Sequence, residues 1–145
     1  MLDLAEHQRI GLDSNVLIYL LEGHGPLAEA AASLLDTIES GDRDGVMSSI
    51  GVVEVLAGPA SDGNAQVFEL TAEAIRDSRI EVLPLDAATA EDAAWVRGSL
   101  GIGLADAVHL ASARNAGATV FVTNDRRIRS LPRLAVAYLS EMQET

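Results

Sequence analysis

The sequence predicts an α/β fold in which helices cover both faces of a parallel sheet. Short apolar runs of strand length alternate along the chain with longer runs whose apolar residues recur every three to four positions. Apolar strands separated by helices are typical of parallel sheets that are buried on both sides. The alternation continues through 145 residues without a repeat or a linker, which predicts a single domain spanning 1–145.

Five segments have the length and composition of strands. The fourth is the clearest, because β-branched residues fill four of its five positions. Pro84 ends the third strand, and the last strand is expected at an edge of the sheet. The predicted strands are 9–12, 46–48, 80–83, 119–123 and 134–136.

Helical periodicity occupies the segments between these strands. Pro26 is placed at the first position of a helix that continues up to Gly41, and Gly58-Pro59 is predicted to end another helix. Trp95 lies in an alanine-rich helix and is expected to fill the core. The remaining predicted helical segments are 16–21, 50–57, 65–76, 87–100, 104–115 and one or two turns within 124–131.

Composition excludes several classes of function. The chain has no Cys, which removes disulfides, thiolate metal sites and cysteine nucleophiles. All ten basic residues are Arg, and the absence of Lys excludes P-loop phosphate binding and Schiff-base chemistry. A net charge of −12 is unsuited to binding nucleic acid through bulk charge. With no apolar run of membrane length and no signal-peptide pattern over 1–9, we expect a soluble, cytoplasmic protein.

Four acidic residues differ from those on polar helix faces. Asp13 and Asp125 directly follow the first and fourth predicted strands, whereas Glu54 and Asp106 lie within otherwise apolar helical segments. In parallel sheets, ligands bind beyond the carboxyl ends of the strands, so these four side chains are expected to meet there. Clustered carboxylate oxygens suit Mg²⁺ or Mn²⁺. The lack of Cys and a single His beyond the first 24 residues argue against zinc.

Taken alone, each acid also has a structural interpretation. Asp13 or Asp125 could cap a following helix, and Asp106 could stabilise a helix dipole. Glu54 is the hardest to explain in this way, because a carboxylate within an apolar run seldom lacks a partner. The joint occurrence of the four acids therefore favours a metal site, of the kind that activates water in phosphodiester cleavage.

Four segments around these acids have the order and spacing found in a known family. They are LDSNVLI (12–18), SSIGVVEVL (48–56), LADAVHLASA (104–113) and FVTNDRR (121–127). In these segments the chain resembles PIN domains, and among them the VapC-type toxins of bacterial toxin–antitoxin pairs. The resemblance implies a three-layer α/β/α sandwich with a mainly parallel sheet, Mg²⁺- or Mn²⁺-dependent endoribonuclease activity and a homodimer. It also implies an antitoxin protein that blocks the acidic pocket.

The resemblance assigns roles by position. The catalytic and metal-binding quartet would be Asp13, Glu54, Asp106 and Asp125. Polar positions that line such sites correspond to Ser14, Asn15, Thr123 and Asn124. Two departures from the family pattern are the strongly acidic net charge and the lack of a Pro before Asp106.

Three interpretations stay open at this point. Arg126 and Arg127, beside Asp125, could contact RNA phosphates or could belong to a solvated helix face. His109 could move protons or could fill a packed helix position, and packing is the favoured interpretation. A module that keeps the PIN-like fold and the acidic pocket but binds partners without cutting RNA is the alternative to an enzyme.

Overall fold

A computed structural model describes residues 4–142 of the chain, so the predicted span of 1–145 extends past the described residues at both ends. Within this range five strands form one sheet in the order β3-β2-β1-β4-β5, and all four neighbouring pairs are parallel. The strands are β1 (Arg9–Leu12), β2 (Asp44–Ser48), β3 (Glu81–Leu83), β4 (Val120–Thr123) and β5 (Ala135–Tyr138).

Helices cover both faces of this sheet. They are α1 (Ser14–Glu22), α2 (Pro26–Glu39), α3 (Ser49–Ser61), α4 (Ala65–Asp77), α5 (Ala87–Leu100) and α6 (Leu104–Asn115), with short 3-10 helices at Leu4–Glu6 and Leu139–Met142. None of the helices in the described part of the chain combines the length and apolarity needed to cross a membrane.

The strand side chains divide between two cores. Ile10, Leu12 and Val122 pack with residues of α1 to α4 on one face. Val46 and Phe121 pack with residues of α5 and α6 on the other face. Successive strand residues point to opposite faces of a sheet, so an uninterrupted apolar strand builds both cores at once. The α/β/α sandwich with a parallel sheet is thereby confirmed.

Glycine at position 11 is required by the close packing of α6 on the sheet. A Cβ at Gly11 would lie 2.6 Å from the Cβ of Ala113 and 3.0 Å from the ring of Phe121. The Ala113 Cβ is fixed to the helix backbone and cannot rotate away. Gly11 therefore lets α6 approach the centre of the sheet, where it delivers Asp106 and His109 to the edge beyond β1.

Three sequence predictions are corrected by the structure. Helix α3 does not end at Gly58-Pro59 but continues to Ser61 with Pro59 inside it. Pro59 has no N–H to donate a backbone hydrogen bond. The missing hydrogen bond affects only the end of α3, where the chain is partly exposed. Trp95 is 78 % exposed and does not fill the core. The inward face of α5 is formed by Ala93 and Val96, which places Trp95 on the outer side.

The third correction concerns 124–131, which is not helical. Instead, Asp125 Oδ1 accepts a hydrogen bond of 2.9 Å from the backbone N–H of Arg127, and the Asp125 N–H donates to Thr123 Oγ1 at 3.0 Å. Short polar side chains that bond nearby backbone groups compete with helix formation. Ile128 is then buried completely, which fixes this turn against the core.

The Gly11 contact yields a matched stability test. Gly11→Ala is expected to lower the free energy of unfolding by about 1–3 kcal/mol, because the added methyl overlaps a fixed Cβ. Gly45→Ala is the comparison in a neighbouring strand, where the methyl would lie 2.6 Å from Ile38 Cδ1 and 3.2 Å from its Cγ1 and Cγ2, atoms farther out on the side chain than a Cβ. Urea unfolding of both variants measures the difference. Equal effects, or no recovery of Gly11→Ala by Ala113→Gly, would contradict this account.

Candidate metal centre

The four predicted acids converge on the edge of the sheet formed by the carboxyl ends of its strands. Asp13 follows β1, Asp125 lies two residues beyond β4, Asp106 is in the first turn of α6, and Glu54 is on α3, which begins directly after β2. This arrangement follows from the parallel topology, because every strand of the sheet ends on the same side.

Asp13 is buried and its carboxylate is held by side-chain donors. It occupies the N-cap position of α1, but its side chain makes no capping hydrogen bond. Instead, Asp13 Oδ2 accepts hydrogen bonds from Thr123 Oγ1 at 2.7 Å and from Asn15 Nδ2 at 3.3 Å. Ser14 Oγ lies 3.4 Å from Asp13 Oδ1. The capping interpretation of Asp13 is therefore wrong, and the carboxylate faces the other acids.

Glu54 is fixed by a histidine that the sequence interpretation left outside the site. His109 Nε2 lies 2.6 Å from Glu54 Oε1, and Ser14 Oγ donates to the same oxygen at 3.0 Å. The hydrogen bond from His109 lowers the pKa of Glu54, and partial burial opposes this effect. Glu54 is therefore an ionised carboxylate with a defined orientation.

Asp106 is the acid whose negative charge is offset least by neighbouring groups in the described part of the chain. Burial raises its pKa, and the nearby charges of Asp13, Asp125 and Glu54 raise it further. These influences show that the four carboxylates lie within electrostatic range of one another. No hydrogen bond to the Asp106 side chain is found among residues 4–142, so nothing comparable to the partners of Asp13 and Glu54 offsets the repulsion.

Asp125 is paired with an arginine two residues away. Arg127 Nη2 and Nε contact Asp125 Oδ2 at 2.7 and 3.2 Å, and Nε also contacts Oδ1 at 3.0 Å. The hydrogen bond from the Arg127 guanidinium lowers the pKa of Asp125. Because 124–131 is not helical, the capping interpretation of Asp125 is wrong.

His109 belongs to the tightest group of ligand-type atoms. One ligand-type atom each of Asp13, Glu54 and His109 lies within 4.8 Å of the other two, and the three could hold a metal ion; Asp13 and His109 are buried, and Glu54 is partly exposed. The sequence interpretation favoured a packed position, and the ring is indeed buried and stacks on Phe121 with centroids 6.3 Å apart. The signal for its second role is its place three residues after Asp106, on the same side of α6.

The supporting polar residues divide into two groups. Ser14, Asn15 and Thr123 contact the acids directly, and Asn15 Oδ1 is buried without a hydrogen-bond partner among the described residues. Asn124 differs, because its Oδ1 accepts a hydrogen bond of 3.1 Å from the backbone N–H of Ser140. Asn124 therefore ties the C-terminal 3-10 helix to the turn after β4.

Arg126 and Arg127 have different environments. Arg126 donates to Glu141 Oε1 at 2.7 Å and to Ser140 Oγ at 3.0 Å, and its guanidinium lies 4.3 Å from the centre of the Tyr138 ring. The Arg127 side chain is 83 % exposed. It lines a cavity of about 480 Å³ together with Asp106, Arg129, the end of α5 and the three residues that follow it (99–103).

Repulsion at Asp106 predicts how the metal-free protein responds to charge removal. In EDTA at pH 7, Asp106→Asn is expected to raise the melting temperature by about 3 °C, or about 1 kcal/mol. The folded pKa is raised, so ionised Asp106 destabilises the native state at neutral pH. This penalty disappears as pH falls below the unfolded pKa of about 3.9.

The difference between Asp106→Asn and wild type should therefore shrink as calorimetric scans move from pH 7 toward pH 4. Glu91→Gln, which removes an exposed acid of α5, is the control and should show no such trend. A variant that unfolds well before wild type at pH 7 would mean that Asp106 has a structural role.

Comparison with known proteins agrees with this geometry. Residues 10–134 match the family model described as "PIN domain". In structure the chain is similar to VapBC2 from Rickettsia felis bound to a promoter DNA fragment, with 18 % identity, a TM-score of 0.72 and coverage of 90 % of this chain and 98 % of that chain. It is also similar to a toxin–antitoxin complex from Klebsiella pneumoniae, with 20 % identity, a TM-score of 0.66 and coverage of 87 % and 95 %.

A third similar structure is FitAcB from Neisseria gonorrhoeae, with 26 % identity, a TM-score of 0.60 and coverage of 88 % and 95 %. No curated protein shows significant sequence similarity to the chain. The family model spans nearly all of the sheet and both helical layers, from β1 to the residue before β5. The chain belongs to the PIN domain family.

Proposed function

We propose that this chain is a Mg²⁺- or Mn²⁺-dependent endoribonuclease and the toxin of a toxin–antitoxin pair. The observation that carries the proposal is the convergence of Asp13, Glu54, Asp106 and Asp125 at one edge of the sheet, with the pKa of Asp106 raised by burial and by the other three acids. Membership of the PIN domain family supports nuclease chemistry at this edge.

The donors at this edge fit a hard divalent cation. Asp13, Glu54 and Asp106 offer carboxylate oxygens, which Mg²⁺ and Mn²⁺ prefer. The unpartnered, buried Oδ1 of Asn15 is a further oxygen that a bound water or ion would satisfy. A cation here would also relieve the repulsion that raises the pKa of Asp106.

The proposed reaction is hydrolysis of an RNA phosphodiester. A bound Mg²⁺ or Mn²⁺ supplies Lewis-acid stabilisation of the phosphoryl oxygens and lowers the pKa of a bound water. The water oxygen forms a bond to phosphorus, one P–O ester bond breaks, and the leaving oxygen takes up a proton. Asp106, whose carboxylate has no hydrogen-bond partner within residues 4–142, is the acid best placed to accept the proton of the attacking water. Glu54 stays ionised, and its carboxylate would help to hold the cation.

RNA contact is assigned to the cavity that Asp106 shares with Arg127 and Arg129. Arg127 is exposed at the rim although it pairs with Asp125, and no hydrogen bond or ion pair ties Arg129 within residues 4–142. Both can therefore reach phosphate oxygens beside the acids. Arg126 is occupied by Glu141, Ser140 and Tyr138, which makes it the weaker candidate of the predicted pair.

The toxin assignment requires a protein partner. An apolar cavity of about 100 Å³ opens between α1, α2, α3 and α4, lined by leucines of α1 such as Leu21. Leu21 and Leu70 are more than half exposed, as expected of a surface that a partner covers. VapBC2 and a toxin–antitoxin complex are among the structures similar to this chain, which supports an antitoxin as the partner. A homodimer is proposed on the family resemblance alone.

Cleavage of labelled RNA by the antitoxin-free protein is the decisive experiment. With Mn²⁺ or Mg²⁺ we expect cutting of a pool of tRNA, rRNA and mRNA, and with EDTA we expect none. Asp106→Asn and Asp13→Asn should each reduce the rate at least about 100-fold, because each removes an anionic oxygen needed for the cation and the attacking water. Glu91→Gln, prepared in the same way, should cut like wild type.

Cutting that survives EDTA, or that is equal in wild type and Asp106→Asn, would overturn the proposal. Absence of cutting by folded protein that binds Mn²⁺ in calorimetry would favour the non-catalytic PIN-like module. The net charge of −12 is the property that this alternative explains more readily.

The assignment of the arginines has its own test. In the Asp106→Asn background, where RNA stays intact, Arg127→Ala is expected to weaken RNA binding about tenfold. It should also lower the slope of log affinity against log salt concentration by about 0.7, the value for one phosphate contact to single-stranded RNA. Arg126→Ala is the matched control and should leave the slope unchanged. The opposite ranking would assign the phosphate contact to Arg126.

A further inference from the structure

His109 is the centre of a hydrogen-bonded chain that links β2, α6 and α3. Its side chain is fully buried, and both ring nitrogens are used. Ser48 Oγ lies 2.8 Å from Nδ1, and Nε2 lies 2.6 Å from Glu54 Oε1. A neutral imidazole has one N–H and one acceptor nitrogen. The Glu54 carboxylate can only accept, so it selects the tautomer with the proton on Nε2, and the Ser48 hydroxyl can donate to the unprotonated Nδ1.

Ser48 is free to bond the His109 ring because its side chain does not cap the helix that it precedes. Ser48 occupies the N-cap position of α3, but its side chain makes no capping hydrogen bond. The Ser48 hydroxyl can therefore donate to Nδ1, which leaves the proton on Nε2. The Nε2–H group then donates to the ionised carboxylate of Glu54, and every donor in the chain meets an acceptor.

The ring cannot turn away from this position. It stacks on Phe121 from β4 at an interplanar angle of 25°. The side chain is also fully buried, and both ring nitrogens have hydrogen-bond partners. Burial, the Phe121 ring and the two hydrogen bonds together hold the imidazole in place.

The contact with His109 gives the two carboxylate oxygens of Glu54 different environments. Oε1 accepts from both His109 and Ser14. No hydrogen bond to Oε2 is found within residues 4–142. Glu54 has three side-chain torsions and is about one-third exposed, so without these contacts its carboxylate would sample several rotamers.

We propose that His109, held by Ser48, is a positioning residue that fixes Glu54 with its Oε2 open to a divalent cation, and that His109 is not itself a ligand. The inference rests on the proposed function only for the identity of the ligand. Its physical basis is preorganisation: the rotamer entropy of Glu54 is lost on folding and not on binding. Substitution of a residue that positions a metal ligand typically weakens metal binding about 10- to 100-fold.

The tautomer gives a test that needs no metal and no RNA. In the metal-free protein, ¹⁵N NMR of the His109 imidazole is expected to show a protonated Nε2 and an unprotonated Nδ1. Glu54→Ala should shift this population toward the other tautomer, because the carboxylate that holds the proton on Nε2 is then gone and the Ser48 hydroxyl can accept as well as donate. Ser112→Ala is the matched control, since it removes a buried hydroxyl of α6 that has no hydrogen-bond partner among the described residues. A protonated Nδ1 in wild type would overturn the proposal.

Calorimetric titration with Mn²⁺ measures the consequence. His109→Leu should weaken Mn²⁺ binding about 10- to 100-fold, while Ser48→Ala should weaken it less. His109→Gln should recover part of the loss, because its amide N–H can still donate to Glu54. Circular dichroism and melting temperatures identify the variants that remain folded, and Ser112→Ala should bind as wild type does.

The outcomes separate this inference from the proposed function. Mn²⁺ binding by wild type and by His109→Leu with equal affinity would overturn the positioning role and leave the nuclease proposal standing. Imidazole ¹⁴N coupling in pulsed EPR of the bound Mn²⁺ would also overturn it, because His109 would then be a ligand. Failure of wild type to bind Mn²⁺ would refute the metal-dependent function itself.

Discussion

Repulsion among carboxylates at one edge of the sheet is the constraint on which the surrounding structure depends. The four acids differ in the partners that offset this repulsion. Asp13 accepts neutral donors from Thr123 and Asn15, Glu54 accepts from His109, and Asp125 is paired with Arg127. Asp106 has no comparable partner in the described part of the chain, and its pKa is raised in consequence. Asp106 is therefore the acid whose negative charge is compensated least. A cation bound beside Asp106 would relieve more repulsion than a cation bound beside any of the other three acids.

The sequence could predict the fold and the convergence of the acids, because both follow from strand and helix order. Asp13 comes directly after β1 and Asp125 two residues after β4, and parallel strands end on one side. Trp95 could not be placed, since its alanine-rich helix has small residues on more than one face. Helical spacing does not predict the turn after β4, where the Asp125 side chain bonds the backbone of Arg127 and replaces a helix. The apolar neighbours of His109 favour a packed position, whereas its hydrogen-bond partners Ser48 and Glu54 come from distant segments.

The strongly acidic net charge is compatible with the proposed binding of RNA. At physiological ionic strength the Debye length is about 8 Å, so charges spread over the surface are largely screened from a phosphate at the site. The charges close to the site are screened less. They are the four acids, which a cation would neutralise in part, and Arg127 and Arg129 at the rim of the adjoining cavity. In the proposed nuclease, recognition would therefore depend on groups within a few ångströms of the scissile phosphate, and the distant acids would mainly weaken non-specific binding.

Helix capping distinguishes the acids and hydroxyls of this edge from those elsewhere. Asn64 and Asp86 occupy the N-cap positions of α4 and α5, and each accepts a backbone hydrogen bond there. Asp13 and Ser48 occupy the same positions in α1 and α3, but their side chains bond Thr123 and His109. Each forgoes a cap that is typically worth about 1 kcal/mol. Two good capping residues that do not cap, on helices leaving neighbouring strands, indicate that local helix stability has been given up to position groups at this edge.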